Sequence, residues 1–555
     1  MTKQLMTGGE GMIRAALANG IDTIFGIPGA QIYPMFDAMQ RHGVKTITTR
    51  HEQGAAYMAL GYAQATGRPS AFSVVPGPGV LNTTAALCTA MGTNTPVLCL
   101  TGQVPSQFLG AGRGHLHELP DQRGTLASLI KAAHHIEDPT LTGEVVNAAF
   151  KAMHTGRPGP VSVEMCWDVM AAEHEIEIGP GHGEVATPII DQAEIDAAAA
   201  ALGAAKRPLI MCGGGAQHAS SAVLALAEKL GAPVTAFRSG RGVVSEDHPL
   251  GVSSVAARLL YDEADVVVGI GSRLEMIYMR WRDMNTYERR PKRGPTLIRI
   301  DIDETEFDRF APDIAVWADA KDACIELASA LSGKTGGGNL GRIRAAKSEA
   351  ASLIGRIQPQ MSYLETIREV LPRDGFFVPE LSQMGFASYF GFPVYKPRTY
   401  VTEGYQGTLG FGFQTALGAK VAYPDRAVVA VTGDGGFMFG VQELATAVNY
   451  NIGVVVVVFN NGAYENVRRD QARSFDGRVI GADFSNPNFV QLAEAFGAAG
   501  YRVSTPRGLK PVLEKAIADN QPAVIDVQIE KGSEVSPWEF IMMPNRPNYG
   551  DQRDR

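Results

Sequence analysis

The sequence predicts an α/β protein of three domains, each a mostly parallel sheet flanked by helices. Three observations predict it. Strand-like apolar runs alternate with helix-like segments along the 555 residues, many of those runs end in glycine, serine or an acid, and two glycine-rich stretches interrupt the rhythm. At roughly 100–200 residues per domain, the chain is too long for a single one. The interruptions set the expected limits: an N-terminal domain over 1–173, a central domain over 190–332, a C-terminal domain over 355–536 and a tail over 537–555.

In the first domain GEGMIRAALANG (9–20) has helical spacing, with Met12, Ile13, Ala16 and Leu17 on one side. IDTIFGIPGA (21–30) reads as a short buried strand running into a turn, FDAMQRHG as helix and VKTITTRHE as strand; SAFSVV (70–75) and TPVLCLTG (95–102) are apolar enough for central strands. HEIEIGPGHGEVATPII (174–190) has no helical period and reads as a linker. The central domain offers RPLIMCGGGA (207–216), APVTAFRSG (232–240), ADVVVGIGSR (264–273) and PTLIRIDID (295–303), strands whose C-terminal ends feed loops on the ligand side of such sheets. The GGG at 213–215 is first a tight turn and only second a nucleotide contact, since no GxGxxG fingerprint accompanies it. LSGKTGGGNLG (331–341) is the second linker, and DGFFVPELSQ (374–383), RAVVAVTGDGG (426–436) and GVVVVVFNNGA (453–463) supply strands to the third domain.

The bulk properties exclude some partners. A formal net charge of −8 argues against a protein that coats nucleic acid or an anionic membrane, although helix ends and a metal can still hold an anionic ligand. Cys88, Cys99, Cys166, Cys212 and Cys324 are scattered through apolar surroundings and read as core residues, not a disulfide framework or zinc site. The N-terminal residues lack the apolar core and small-residue cleavage site of a signal peptide, and VVVVVF at 454–459 is far too short to cross a bilayer, so a cytoplasmic location is expected.

The sharpest chemical signal lies in residues 428–467. A strand ends at Thr432, Gly433-Asp434-Gly435-Gly436 follows, a helix is expected from about Gly440, and a second strand, Val454–Phe459, runs into Asn460-Asn461-Gly462. Asp434 and Asn461 therefore sit just past the C-terminal ends of two strands joined by one crossover, which brings such ends side by side. A carboxylate and a carboxamide oxygen are hard ligands suited to Mg²⁺ or Ca²⁺, and the glycines let backbone N–H groups approach phosphate oxygens.

This segment resembles the thiamine diphosphate-binding motif, which opens on GDG and closes on NN about thirty residues later. By that resemblance Asp434 and Asn461 bind Mg²⁺ through their side chains and Ala463 through its carbonyl, while Gly433, Gly435 and Gly436 lie along the diphosphate and Tyr464 joins the cofactor contacts. The family often has glycine where this chain has Glu465. In the first domain RHEQGAAYMALGYAQATG (50–67) is similar to the pyrimidine-binding signature of the acetolactate synthase-like superfamily. Read from the residues alone, Glu52 is an acid offsetting the helix dipole. The resemblance makes it the glutamate that bonds the aminopyrimidine ring and starts formation of the carbanion at C2. GTLGFGFQTALGAKVAYPD (407–425) resembles the stretch supporting the bent cofactor, with Leu409 as the wedge between its rings. FGIPGAQIYPMFDA (25–38), GPG (77–79), TGQVP (101–105) and the DIDxxE-like 301–305 complete a likeness that spans essentially the whole chain.

The resemblance also sets the reaction class. It implies a lyase or carboligase acting on a 2-oxo acid, acyloin or 1,2-diketone through a carbanion–enamine. Acetolactate synthase itself, condensing two pyruvates, is the alternative, and a non-catalytic assembly protein is the alternative of another class. Gln31, His115 and His117 are expected near the reacting carbon; the Leu116-His117-Glu118 triplet stands where acetolactate synthases tend to have phenylalanine–glutamine–glutamate, and histidine can exchange protons near neutral pH. Flavin (FAD) is permitted by Gly213–Gly215 and Arg273 but not demanded. Residues 537–555, rich in aromatics and proline, are expected to close over the site. The resemblance implies a homodimer or homotetramer whose active sites lie between chains.

Overall fold

The structure, a computed structural model, describes residues 3–281, 294–331 and 339–542. Three parallel sheets form its framework. The first runs in the spatial order Lys45–Thr48, Thr23–Gly26, Ser70–Val74, Val97–Gln103, Val161–Cys166, Ala132–Ile136. The central one is Gly251–Val252, Val234–Ala236, Pro208–Cys212, Val266–Ile270, Thr296–Asp301, Ile314–Trp317. The last is Phe376–Pro379, Val428–Gly433, Val455–Asn460, Ala523–Gln528, Ala499–Val503.

The C-terminal sheet is the middle layer of the molecule, and its strands show why they lack polar alternation. Side chains on a strand point alternately to its two faces. Val428, Ala430, Val454, Val456 and Val458 face a core shared with the N-terminal domain. Val429, Val431, Val455 and Val457 face another, continuous with the central domain. Both faces are dry, so positions 428–431 and 454–459 are apolar throughout.

The sequence reading needs two amendments. Residues Glu173–Ile176, at the start of the expected linker, are a strand paired antiparallel with Gln4–Thr7, because an exposed edge segment finds backbone partners without a helical or alternating code. The helix expected from Gly440 begins as a 3₁₀ turn, Val441–Glu443, and becomes α-helical over Leu444–Asn449. Of the tail, Trp538–Ile541 forms one helical turn whose Phe540 and Ile541 are buried, with Phe540 against Phe390 and Trp538 against Phe386; residues 543–555, on which the lid expectation also rests, lie outside the described residues.

The N- and C-terminal domains meet where helix Glu52–Thr66 crosses helix Phe411–Ala422. Small residues allow the backbones to touch: a Cβ at Gly61 would lie 2.0 Å from the Thr415 carbonyl oxygen, and one at Gly418 would lie 1.9 Å from that of Met58. Gly418→Ala is therefore expected to lower stability by about 1–3 kcal/mol through overpacking, read as a drop in the thermal midpoint. Gly203→Ala, on a helix face open to solvent, should leave the midpoint unchanged or raise it slightly.

Candidate active site

The crossover predicted from sequence brings Asp434 and Asn461 together. Strand Val428–Gly433 lies beside Val455–Asn460, and Asp434 starts the helical turn Asp434–Phe437 at the strand end. Its Oδ1 accepts the N–H of Gly435 at 2.9 Å; Oδ2 accepts the N–H groups of Asn461 at 3.2 Å and Gly462 at 2.7 Å, and the Asn486 amide at 2.8 Å. Burial pushes the Asp434 carboxyl upward, against these donors. Asn461 Oδ1 accepts the N–H of Ala463 at 3.1 Å, while its amide donates to Glu534 at 3.0 Å. The Asp434 carboxylate at one strand end, with the Asn461 carboxamide and the Ala463 carbonyl at the next, offers an oxygen donor set of the kind that suits Mg²⁺. No grouping of three or more His, Cys, Asp or Glu side chains suited to a metal occurs among the described residues, so any metal here is held by a mixed set of this kind.

Each predicted glycine makes room for something specific. A Cβ on Gly435 would lie 2.3 Å from the Tyr464 ring, and one on Gly436 would lie 2.0 Å from Glu380 Oε1. Gly433 is extended, with Ser382 next to it. Tyr464 packs edge-on against Phe484. Leu409 is half-buried, just before left-handed Gly410, which precedes helix Phe411–Ala422. Gln53 approaches Gly410, so the Leu409 turn and the start of the Glu52 helix are neighbours within one chain.

The N-terminal domain contributes a second group at the carboxyl ends of its strands. Glu52 opens helix Glu52–Thr66, half-buried, and its Oε2 accepts the Asn82 amide at 3.0 Å. Gln31, fully buried, has its carboxamide 3.2 Å from His117 Nδ1 and donates to the Leu116 carbonyl at 3.3 Å. His117 holds a left-handed backbone (φ 66°), and its carbonyl would lie 2.5 Å from a Cβ at Gly77. His115 takes another direction: its ring stacks on Phe108 at 5.0 Å and its Nδ1 is buried without a partner. The structure therefore joins Gln31 with His117 and leaves His115 apart from them. Among the described residues no hydrogen bond links Glu52, Gln31 or His117 to Asp434 or Asn461.

Sequence reasoning missed the acids that hold these loops. Glu380, fully buried at the end of strand Phe376–Pro379, accepts the N–H groups of Gly410 at 2.7 Å and Gly412 at 3.0 Å and the Thr432 hydroxyl at 3.1 Å. It thereby ties the Leu409 turn to the Asp434 strand. Glu443 and Glu534 are likewise buried, and desolvation drives the Glu534 carboxyl up to about 7, with Glu465 and Asp434 nearby adding to the rise. Glu465 is buried with Oε2 unpartnered. The one available signal was a charged residue directly after an apolar strand, as in VPELS.

A cavity of about 310 Å³ opens at the carboxyl edge of the central sheet, lined by Gly214, Gly215, Arg273, Asp301 and Asp319 among others. Its lining combines a glycine backbone, the carboxyl groups of Asp301 and Asp319, and Arg273, whose Nε is buried without a partner. The five cysteines are free; four are buried.

Residues 6–125, 195–327 and 381–527 match, in turn, the N-terminal TPP binding, central and C-terminal TPP binding domains of thiamine pyrophosphate enzymes. The chain is 33% identical to a probable acetolactate synthase large subunit of Methanocaldococcus jannaschii, covering 95% of this chain and 92% of that one. It is 30% identical to the acetolactate synthase isozyme 1 large subunit of Escherichia coli, over 97% and 96%. It is 32% identical to a probable 2-ketoarginine decarboxylase of Pseudomonas aeruginosa, over 90% and 89%.

Burial raises the Glu380 carboxyl from 4.5 to about 7, against its three donors. The folded state then holds a proton that the unfolded chain gives up, so stability falls as pH rises from about 4.5 to 7. Glu380→Gln should flatten that decline: its thermal midpoint, relative to the parent, should improve by the equivalent of roughly 1–3 kcal/mol between about pH 5 and pH 8.

Proposed function

The chain belongs to the acetolactate synthase-like group of the thiamine pyrophosphate enzymes, and on that footing we propose that it condenses two 2-oxo acids, pyruvate first, using thiamine diphosphate and Mg²⁺. The observation that carries this reading is the joining of Asp434 to the Asn461–Ala463 turn at adjacent strand ends. Relatives matching over nearly the whole chain bear the acetolactate synthase name. They support that alternative over the wider expectation of a lyase on acyloins or diketones, and they speak against a non-catalytic protein.

Bound thiamine diphosphate supplies a thiazolium carbon that adds to a keto carbonyl and a ring that accepts the electron pair left by C–C cleavage. The remaining steps fall to this chain. Asp434, Asn461 and the Ala463 carbonyl would hold Mg²⁺. Gly433, Gly435 and Gly436 would lie along the diphosphate, with Tyr464 beside them. Leu409 would support the bend between the rings. Glu52, whose Oε2 accepts the Asn82 amide, would hold a proton at its free oxygen against the aminopyrimidine. His117, set by Gln31, would give or take a proton at the substrate; His115, half-buried and stacked on Phe108, would shape that loop. The 310 Å³ cavity is the place FAD would occupy, and no step is assigned to it.

A second reading, decarboxylation of a 2-oxo acid with a cationic tail, is favoured by Glu465. Its buried, unpartnered Oε2 stands near Glu534, where the family often has glycine, and one relative is a probable 2-ketoarginine decarboxylase. Supplying pyruvate and 5-guanidino-2-oxopentanoate separately, with thiamine diphosphate and Mg²⁺, separates the two readings. Acetolactate from pyruvate is expected. Carbon dioxide from the guanidino acid alone would replace the first reading with the second.

Leu81, next to the Asn82 that bonds Glu52, and Met438 and Phe439, the latter beside Gly410, are exposed large apolar side chains close to the Glu52 and Leu409 turns. Such a surface supports a second copy of the chain covering the site, as a homodimer or a pair of dimers. No described helix is long and apolar enough to cross a membrane. Two outcomes follow. Asp434→Ala should weaken Mg²⁺-dependent thiamine diphosphate binding by at least about 100-fold in calorimetry, with affinity in the absence of metal little changed. Mixing inactive Glu52→Gln chains with inactive Asp434→Ala chains after reversible dissociation should restore part of the activity if sites are shared; efficient exchange without recovery would rule sharing out.

A further inference from the structure

Glu443 lies in the turn Val441–Glu443, nine positions beyond Asp434, and is fully buried. It reaches out of its own domain. Its Oε1 accepts the backbone N–H of His51 at 3.0 Å and of Arg50 at 3.2 Å; its Oε2 takes the Arg50 N–H at 3.1 Å and the Thr446 hydroxyl at 2.6 Å. Among the described residues no ion pair with a basic side chain balances it. An unpaired buried carboxylate is costly unless donors replace water. Here two consecutive N–H groups do so, at the positive end of the 15-residue helix Glu52–Thr66. The helix leaves room for it: a Cβ on Gly54 would lie 2.6 Å from Glu443 Oε1.

The two anchored residues immediately precede Glu52. We propose that Glu443 is a positioning residue for Glu52, fixing the backbone at the helix entrance and hence the direction in which the Glu52 carboxylate points. On its other side that carboxylate is held by the amide of Asn82, whose exposed position gives little rigidity. The same buried group thus ties the turn after Asp434 to the entrance of the Glu52 helix within one chain. This rests on the role given to Glu52 above.

Three substitutions test it. Glu443→Asp draws the carboxylate back by one methylene, about 1.5 Å, and breaks the reach to residues 50 and 51. Glu443→Gln keeps an oxygen in reach of both N–H groups, while its amide can donate to the Thr446 hydroxyl. Gly54→Ala pushes on the same carboxylate from the helix side. The measurements are backbone amide exchange at Arg50 and His51 in enzyme without cofactor, exchange of the C2 proton of thiamine diphosphate bound with Mg²⁺, and the division of any loss between kcat and KM. Displacements of about 1 Å near a reacting group cost up to about 100-fold. Glu443→Asp and Gly54→Ala should therefore speed amide exchange and slow C2 exchange and kcat by at least about tenfold, with KM within about twofold, while Glu443→Gln stays within about threefold of the parent. Faster amide exchange with C2 exchange at the parent rate would reduce Glu443 to a structural tie and overturn the proposal. Unchanged amide exchange in both Glu443→Asp and Gly54→Ala would overturn it as well. Glu52→Gln, measured in parallel, separates the two levels. If it leaves C2 exchange untouched, the role of Glu52 falls and this inference with it; if it slows exchange while Glu443→Asp does not, only the positioning role falls.

Discussion

The crossing of helices Glu52–Thr66 and Phe411–Ala422 is the constraint on which the candidate site depends. Backbone-to-backbone contact at Gly61–Thr415 and Gly418–Met58 leaves no slack for a side chain. Close-packed interiors transmit such restrictions because few voids absorb a shift. Each helix begins at a site element: Glu52 opens one, and Leu409-Gly410 leads into the other. Once the crossing is fixed, the distance between those two beginnings is fixed with it, and Gln53 already approaches Gly410.

Two buried carboxylates extend that rigidity to the loops. Glu380 binds the N–H groups at the start of the Phe411–Ala422 helix, and Glu443 binds those at the start of the Glu52–Thr66 helix. Both are acids supplied from elsewhere to a helix entrance, where the dipole and free N–H groups offset part of the desolvation cost. An apolar residue in either place would leave several N–H groups unpaired, which costs more than it gains. Fixing the loops before any ligand arrives lowers the ordering cost of binding.

Much of this was legible in the sequence. The strand–GDG–crossover–NN order placed Asp434 and Asn461 together because a parallel sheet with a short crossover has few other solutions. The strands Val428–Gly433 and Val455–Asn460 were legible as valine-rich runs, since both their faces are dry; Ala499–Val503 and Ala523–Gln528, with Arg502 and Asp526 inside them, were not. The antiparallel pair Gln4–Thr7 with Glu173–Ile176 was not, because its partners are 166 or more residues apart and its pattern is mixed. Nor were Glu380 and Glu443: an isolated acid in a helical or strand-end context has the same signature whether it faces water or backbone N–H groups. His115 and His117 illustrate the same gap. Two residues apart in one loop, they part company because His117 takes a left-handed backbone while Phe108 offers His115 a stacking face, and both facts are tertiary.

The placement of Glu443 bears on how an assembled enzyme would behave. Glu443 connects, within one chain, the turn following Asp434 to the entrance of the Glu52 helix. If each site takes Glu52 from one chain and Asp434 from its neighbour, the two ends of this tie serve different sites. Ordering of the Asp434 loop by a metal and diphosphate in one site would then act, through rigid contacts of a few ångströms, on the acid of the other. Coupling of that kind needs no long path, only a shared element whose equilibrium both sites bias. A monomer with Glu52 and Asp434 in one site would convert the same tie into simple internal bracing. The arrangement of chains therefore decides whether this buried carboxylate is a brace or a link between sites, although its local geometry is the same in either case.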